Sequence, residues 1–244
     1  MYSRLVGSEM CIRDSHRIIR KLEVLRRTTI NGQYQVDSMR TVWFMTGNVG
    51  KVREAKHALD PLGFDVKQLV VDGVEISEPQ CDDLEIVARS KLQQAQAHLP
   101  HPNDALMVED AGLFVDALDE FPGVYSAYVL KTLGCAGILK LMEDKANRNA
   151  EFQAVAALLL DDEVHVSRGI CQGVIAAEAS GSDGFGFDPV FVPNDIEREG
   201  SVHTTNGRTF ADVDLSLKEQ FSHRRKALDG LIKSLSSSET ASSS

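Results

Sequence analysis

Short apolar runs that stop abruptly at turn residues, with helix-patterned stretches between them, constrain this fold more than any other feature of the chain. Thr41-Val42-Trp43-Phe44-Met45 halts at Thr46-Gly47-Asn48, the pattern of a buried strand ended by a turn. Val49 to Leu59 has helical character and is closed by Asp60-Pro61 and Gly63. Phe64 to Val71 reads as a second strand. Asp82-Asp83 opens a helix through Ile86, Val87, Leu92 and Ala95 to about His98. Ala105-Leu106-Met107-Val108 is again a buried strand, ending in Glu109-Asp110. Thr132 to Asp144 reads as a helix, Phe152 to Leu160 as a central strand, and Val164 to Ala177 as one or two more. Leu215 to Leu235 reads as a single helix with acid early and base late. Strands alternate with helices in the first half and cluster in the second, which predicts an α/β domain with a mixed sheet.

The two ends differ from this body. Residues 1–38 carry seven Lys/Arg against four acids and show no sustained period of 2 or 3.6, whereas Met39 stands directly before the first strand. The first 38 residues are therefore read as a non-native or disordered extension rather than as a basic targeting arm, which is usually poor in acids, residues 39–235 as one catalytic domain, and residues 236–244 as a disordered Ser-rich tail. No run of 18 apolar residues occurs, so a membrane-spanning helix is not expected. The N-terminus has no continuous apolar segment of the secretory kind. Four cysteines with no CxxC spacing indicate neither a zinc knuckle nor a disulfide framework, and point to a reduced, cytoplasmic setting. The net charge of −10 disfavours a nucleic-acid partner.

Six stretches carry candidate chemistry. Thr46-Gly47-Asn48-Val49-Gly50-Lys51 joins a strand to a helix. It reads either as an anion cradle of backbone N–H groups with a lysine, or as a plain turn with a surface lysine. The adjacent acids Glu109 and Asp110 follow a buried strand, where carboxylates line ligand crevices and suit Mg²⁺; the alternative is a polar strand end facing water. Glu75 and Glu78 are further acids able to join a metal site with Asp110. In Phe121-Pro122-Gly123-Val124-Tyr125-Ser126-Ala127 a turn with aromatic packing leads over a cleft-facing tyrosine and serine. The loop Gly184-Phe185-Gly186-Phe187-Asp188-Pro189 presents rings able to stack a heterocycle, or else a hydrophobic plug with one ring in the core. Asp188 there accepts from a ring N–H or holds the loop through its own backbone. Finally, Lys218, Ser222 and Arg225 sit at helical spacing, and His223 with Arg224 are donors suited to carbonyl oxygens on a base.

In this order and spacing, TGNVGK, VEDAGL, FPGVYSAY, GFGFDPVF and LSLKEQFSHRRKAL closely resemble the inosine triphosphate pyrophosphatase family, from Met39 to about Leu235. The resemblance implies an elongated mixed β-sheet flanked by helices, two lobes with a central cleft, and a homodimer. It implies Mg²⁺-dependent hydrolysis of ITP, dITP and XTP to the monophosphate and pyrophosphate. By position, Thr46 to Lys51 and Lys218 would hold phosphate. Asp110 would be general base and metal ligand, and Glu78 the second metal ligand. Phe185, Gly186, Phe187 and Asp188 would hold the base and sugar end, the two rings sandwiching the purine, while His223 and Arg224 would read the base. Ala111 departs from the family's usual Ser or Thr and puts fine affinity in doubt. Two rival classes stand beside this: a related pyrophosphatase of modified pyrimidine or m7G nucleotides, and a non-catalytic nucleotide-binding module.

Overall fold

The computed structural model describes residues 29–30, 33–34, 40–74, 76–182, 184–198 and 200–241. Within the first 38 residues, β1 (Thr29–Ile30) pairs antiparallel with β2 (Gln33–Tyr34); the remainder of that extension lies outside the described residues. The body is a six-stranded mixed sheet in the order β4-β3-β5-β6-β7-β8. Its strands are β3 (Arg40–Met45), β4 (Phe64–Leu69), β5 (Ala105–Val115), β6 (Asn149–Leu160), β7 (Glu163–Ile175) and β8 (Phe191–Pro193). β3 runs parallel to β4 and β5, and every pairing from β5 to β8 is antiparallel. The expected mixed α/β sheet is what forms.

The first helices begin where their caps dictate. Asn48 accepts from the N–H groups of Gly50 and Lys51 and starts α1 (Val49–Leu59); Asp83 accepts from Glu85 and starts α2 (Leu84–Gln96). α1 buries Val52, Ala55, Ala58 and Leu59 on one face of the sheet, and α2 buries Leu84, Val87, Ala88, Leu92 and Ala95 on the other. β6 lies between these layers. Its Ala154 and Ala156 join the α1 core and Val155 and Ala157 join the α2 core, so small side chains let helices approach both faces of this central strand.

Later elements depart from the sequence pattern. Glu109 and Asp110 do not end β5: the strand continues to Val115 because Asp110–Val115 pairs in register with Ala150–Val155 of β6. The helix expected over 132–144 is the shorter α4 (Gly134–Leu141), and a separate α3 (Ser126–Thr132) precedes it; the two are divided at Gly134, whose φ of 64° leaves the helical region. The helix expected over 215–235 is broken into α5 (Leu215–Phe221) and α6 (His223–Ala241). Ser222 leaves helical geometry at ψ 118° and its hydroxyl accepts from Arg225 N–H at 3.1 Å, starting the new helix. α6 runs on past Leu235 through Ala241, since extending a helix already nucleated costs little. A hairpin of β9 (Ile196–Arg198) and β10 (Ser201–His203) lies outside the main sheet.

A second core, beyond the ends of α1 and α2, is built on aromatic rings. Phe152 packs on Phe191 with centroids 4.5 Å apart, Phe191 on Phe210 at 5.3 Å, and Phe210 on Phe221 at 6.3 Å. Gly169 lets α6 press against β7: a Cβ there would lie 2.0 Å from the carbonyl oxygen of His223. The start of α6 is thereby fixed against the sheet.

Candidate active site

β5 outruns its neighbour. β3 pairs with it only as far as Phe44↔Met107, so from Glu109 onward β5 keeps a strand partner only in β6 among the described residues, with an isolated bridge from Phe114 to Pro122 on the other side. This gap lies at the carboxyl ends of β3 and β4, the position where open α/β sheets bind ligands. Successive β5 side chains then face opposite ways. Glu109 meets α1 and α6 through Lys51 and Arg224; Asp110 meets α2 through Lys91.

On the Asp110 side, Lys91 donates to Asp110 Oδ1 at 3.1 Å and pairs with Glu78 at 2.6 Å. Asp110 Oδ2 is buried and has no hydrogen-bond partner. Burial pushes the Asp110 carboxyl above the ordinary carboxylate range, against the pull of Lys91 and Lys51 and with help from Glu78. Lys91, held by two carboxylates, stays charged despite its burial. The structure thus brings Glu78 and Asp110 together, as expected, but through a lysine that the sequence reading did not single out. A signal was present: Leu84, Ala88, Lys91 and Ala95 share one helical stripe, and a lysine within an apolar stripe calls for a partner. Glu75 lies outside the described residues.

On the other side, the Thr46–Lys51 turn is an internally bonded cap. Asn48 N–H donates to Thr46 Oγ1 at 3.1 Å, and Asn48 Oδ1 takes up Gly50 N–H at 2.8 Å and Lys51 N–H at 3.4 Å. Val49 faces solvent. The phosphate-sized charge this turn offers is Lys51, whose Nζ donates to the Glu109 carbonyl at 3.3 Å and lies 3.3 Å from Glu109 Oε1. Ala111 is half-buried against the α1 core.

Past the Ser222 elbow, Arg224 is clamped: Nε donates to Glu109, 2.8 Å from Oε2, and Nη1 donates to Glu54 Oε1 at 3.1 Å. Those carboxylates hold its pKa up, against burial, so it is permanently charged. His223 stacks on Phe152 at 5.0 Å, with its Nδ1 buried and without a partner. Burial, and then the cations Arg224, Lys218, Lys51 and Lys226, hold its pKa well below the usual histidine value, so the ring is neutral at pH 7. Lys51 therefore acts electrostatically on both Asp110 and His223, which ties the two ends of the site together.

The glycine-hinged loop divides its two rings. Phe187 is 3% exposed and belongs to the aromatic core, whereas Phe185 is 68% exposed. A sandwich of both rings around a base is not present; one ring is a plug and one is free. Asp188 is buried and anchors the loop, its Oδ2 accepting from Phe185 N–H at 2.5 Å and from Lys218 Nζ. Lys218, expected at phosphate, is paired with Asp188 and sits 5.4 Å from the Phe210 ring. Ser126 is buried, and its hydroxyl is used structurally: it accepts from Leu113 N–H at 2.8 Å and donates to the Gly123 carbonyl at 2.7 Å. Separately, a cleft of about 470 Å³ behind the elbow is lined by Arg168, Ser222, Arg225 and Asp229 among others, away from Asp110 and Phe185.

Among the described residues, no group of three or more His, Cys, Asp or Glu side chains is arranged to hold a metal, and no helix is long and apolar enough to cross a membrane.

The chain is similar to known proteins in sequence and in fold. Residues 42–234 match the family model described as the Ham1 family. A protein named dITP/XTP pyrophosphatase from Thermococcus kodakarensis is 44% identical over 185 residues, 76% of this chain and 91% of that protein. One of the same name from Ignicoccus hospitalis is 40% identical over 198 residues, 81% of this chain and 97% of its own. Among solved structures, the Staphylococcus aureus Ham1 protein superposes with a TM-score of 0.68 at 25% identity, covering 82% of this chain and all of that one. With a strand that outruns its neighbour, an acid on each of its faces and a match across nearly all of the body, the chain belongs to the Ham1 family.

Proposed function

We propose that this enzyme hydrolyses non-standard purine nucleoside triphosphates (ITP, dITP and XTP) to the monophosphate and pyrophosphate, and so cleanses the nucleotide pool. Its relatives named dITP/XTP pyrophosphatase support the reaction class. The observation that carries the reading is Asp110: a half-buried carboxylate with one buried, unpartnered oxygen, paired with the ammonium group of Lys91 and within the electrostatic reach of Lys51. A carboxyl raised in pKa and unpartnered on one oxygen suits a general base for water, and cations near it suit a polyphosphate.

The donor set also fits a magnesium ion. Mg²⁺ is held by one or two carboxylates, with waters and substrate phosphates completing its shell. Asp110 Oδ2 has no partner to give up, and Glu78 is exposed beside it. When bound there the ion supplies charge neutralisation at the phosphates. The protein groups do the remainder. Asp110 accepts the proton of the water that attacks the α-phosphorus, and pyrophosphate leaves. Lys51 and Lys91 balance the charge that develops. Lys218 is released from Asp188 when phosphate competes for it. At the base end, Arg224 Nη2 is not committed to Glu109 or Glu54. A donor there suits the 6-carbonyl of hypoxanthine or xanthine and is left unpaired by the 6-amine of adenine. A homodimer in the cytoplasm is part of this reading; the exposed Tyr128 and Leu133, on α3 and just after it, bear on the dimer alone, as apolar surface that a second copy could cover.

Pyrophosphate release from ITP, dITP, XTP, ATP, GTP, dUTP, dTTP and m7GTP, with and without Mg²⁺, tests the reading. Magnesium-dependent preference for the first three is expected. Preference for dUTP, dTTP or m7GTP would favour the rival pyrophosphatase class, and no turnover at all would favour a binding module.

The two rings of the loop separate cleanly by mutation. Phe185→Ala is expected to raise KM for ITP about tenfold, since a stacked base gains ~1–3 kcal/mol, and to leave the melting temperature unchanged. Phe187→Ala is expected to destabilise the fold by about 3–5 kcal/mol. Equal effects on stability would show that the division between plug and free ring is wrong.

A further inference from the structure

Glu109 has no part in the chemistry above, yet it touches both halves of the site. Its side chain is 1% exposed. Oε2 is 2.8 Å from Arg224 Nε, Oε1 is 3.3 Å from Lys51 Nζ, and its backbone carbonyl accepts from the same lysine. Arg224 has a second carboxylate in Glu54; Lys51 has no other among the described ion pairs. A carboxylate this deep persists only when paired. An anion that reaches Lys51 also meets the repulsion of Glu109 at short range, where little water screens it.

We propose that Glu109 is a positioning residue: an internal counter-ion that fixes Lys51 and Arg224 and competes with phosphate for Lys51, so that pyrophosphate does not stay bound after turnover. This rests on the reading of the site beside β5 as a triphosphate site. A substrate engages base, sugar and three phosphates at once and overcomes that competition. Pyrophosphate alone has only the phosphate contacts and yields Lys51 back to Glu109.

Glu109→Gln tests this, because it keeps the size and an acceptor oxygen for Arg224 while removing the charge. Inorganic pyrophosphate titrated calorimetrically into the full chain is expected to bind about tenfold tighter to the variant than to wild type. ITP turnover is expected to show kcat lowered about tenfold, with KM unchanged or lower, because the product leaves slowly and Lys51 has lost its fixed place. A merely structural lesion would weaken pyrophosphate binding and lower kcat together; that result, or an unchanged pyrophosphate affinity, would overturn the proposal. Glu109→Ala, which admits water in place of the carboxylate, gives a second version of the same charge removal with the same expectation. In a Lys51→Met background Glu109→Gln is expected to change pyrophosphate affinity less than about twofold; a full tenfold change there would show that the effect does not pass through Lys51. Wild-type protein that binds pyrophosphate but hydrolyses none of the nucleotides would remove the functional reading alone, since the calorimetric comparison does not depend on turnover.

Discussion

Asp110→Asn is expected to lower ITP turnover by roughly 10²–10⁴-fold, the range for loss of a general base, while the fold survives. Asparagine has nearly the shape of aspartate, so packing against α2 is kept. Lys91 loses one carboxylate but retains Glu78 at 2.6 Å. The lost negative charge was a strained one, since burial already pushes this carboxyl upward and Oδ2 has no partner. Removing a poorly solvated charge costs little stability, so the melting temperature is expected to stay level or rise slightly. Pyrophosphate release and thermal unfolding on the same preparation check both halves. A variant that turns over at near wild-type rate would refute Asp110 as the base. A variant that unfolds would show the residue to be a structural partner of Lys91.

Arg224→Met carries a large expected loss of stability. Glu109, almost fully buried, would keep only Lys51, and Glu54 would lose its guanidinium. Removing one partner of a buried pair costs about 3–5 kcal/mol, because the remaining charge stays desolvated. Chemical denaturation is the measurement, and the unfolding slope should be unchanged if only the native state is affected. Adding Glu109→Gln should restore a good part of the loss, since the double variant no longer strands a carboxylate. Such recovery is the coupling that a double-mutant cycle isolates. If Arg224→Met instead costs less than about 1 kcal/mol, the clamp between α1, β5 and α6 is a surface-like pairing of little weight.

The parts of this molecule legible in the sequence were those fixed locally. The bounds of α1 follow from Asn48 at one end and Asp60-Pro61 with Gly63, at φ 85°, on the other. Asp83 announced α2 in the same way. The mixed sheet followed from the spacing of apolar runs. What escaped was set by partners distant in the chain. Nothing near Glu109 shows that Arg224, 115 residues away, closes over it, or that Arg224 reaches Glu54 across 170. Phe185 and Phe187 are indistinguishable as letters; only Phe152, Phe191 and Phe210 decide which ring is buried. The run from Leu215 to Leu235 has a helical pattern throughout, and a single hydroxyl at Ser222 divides it. The acid pair looked like a strand end because its pairing partner, β6, begins some forty residues later.

The placement of Glu109 and Asp110 on neighbouring positions of β5 restricts how this protein can change over generations. The two carboxylates are assigned their tasks by parity along one backbone. Inserting or deleting a single residue between Ala105 and Val108 would trade their destinations, sending one acid toward Lys91 and the other toward Lys51 and Arg224, with every core contact of the strand inverted as well. A substitution alters one acid at a time, whereas a length change within the strand displaces both at once, together with the core side chains that share its two faces.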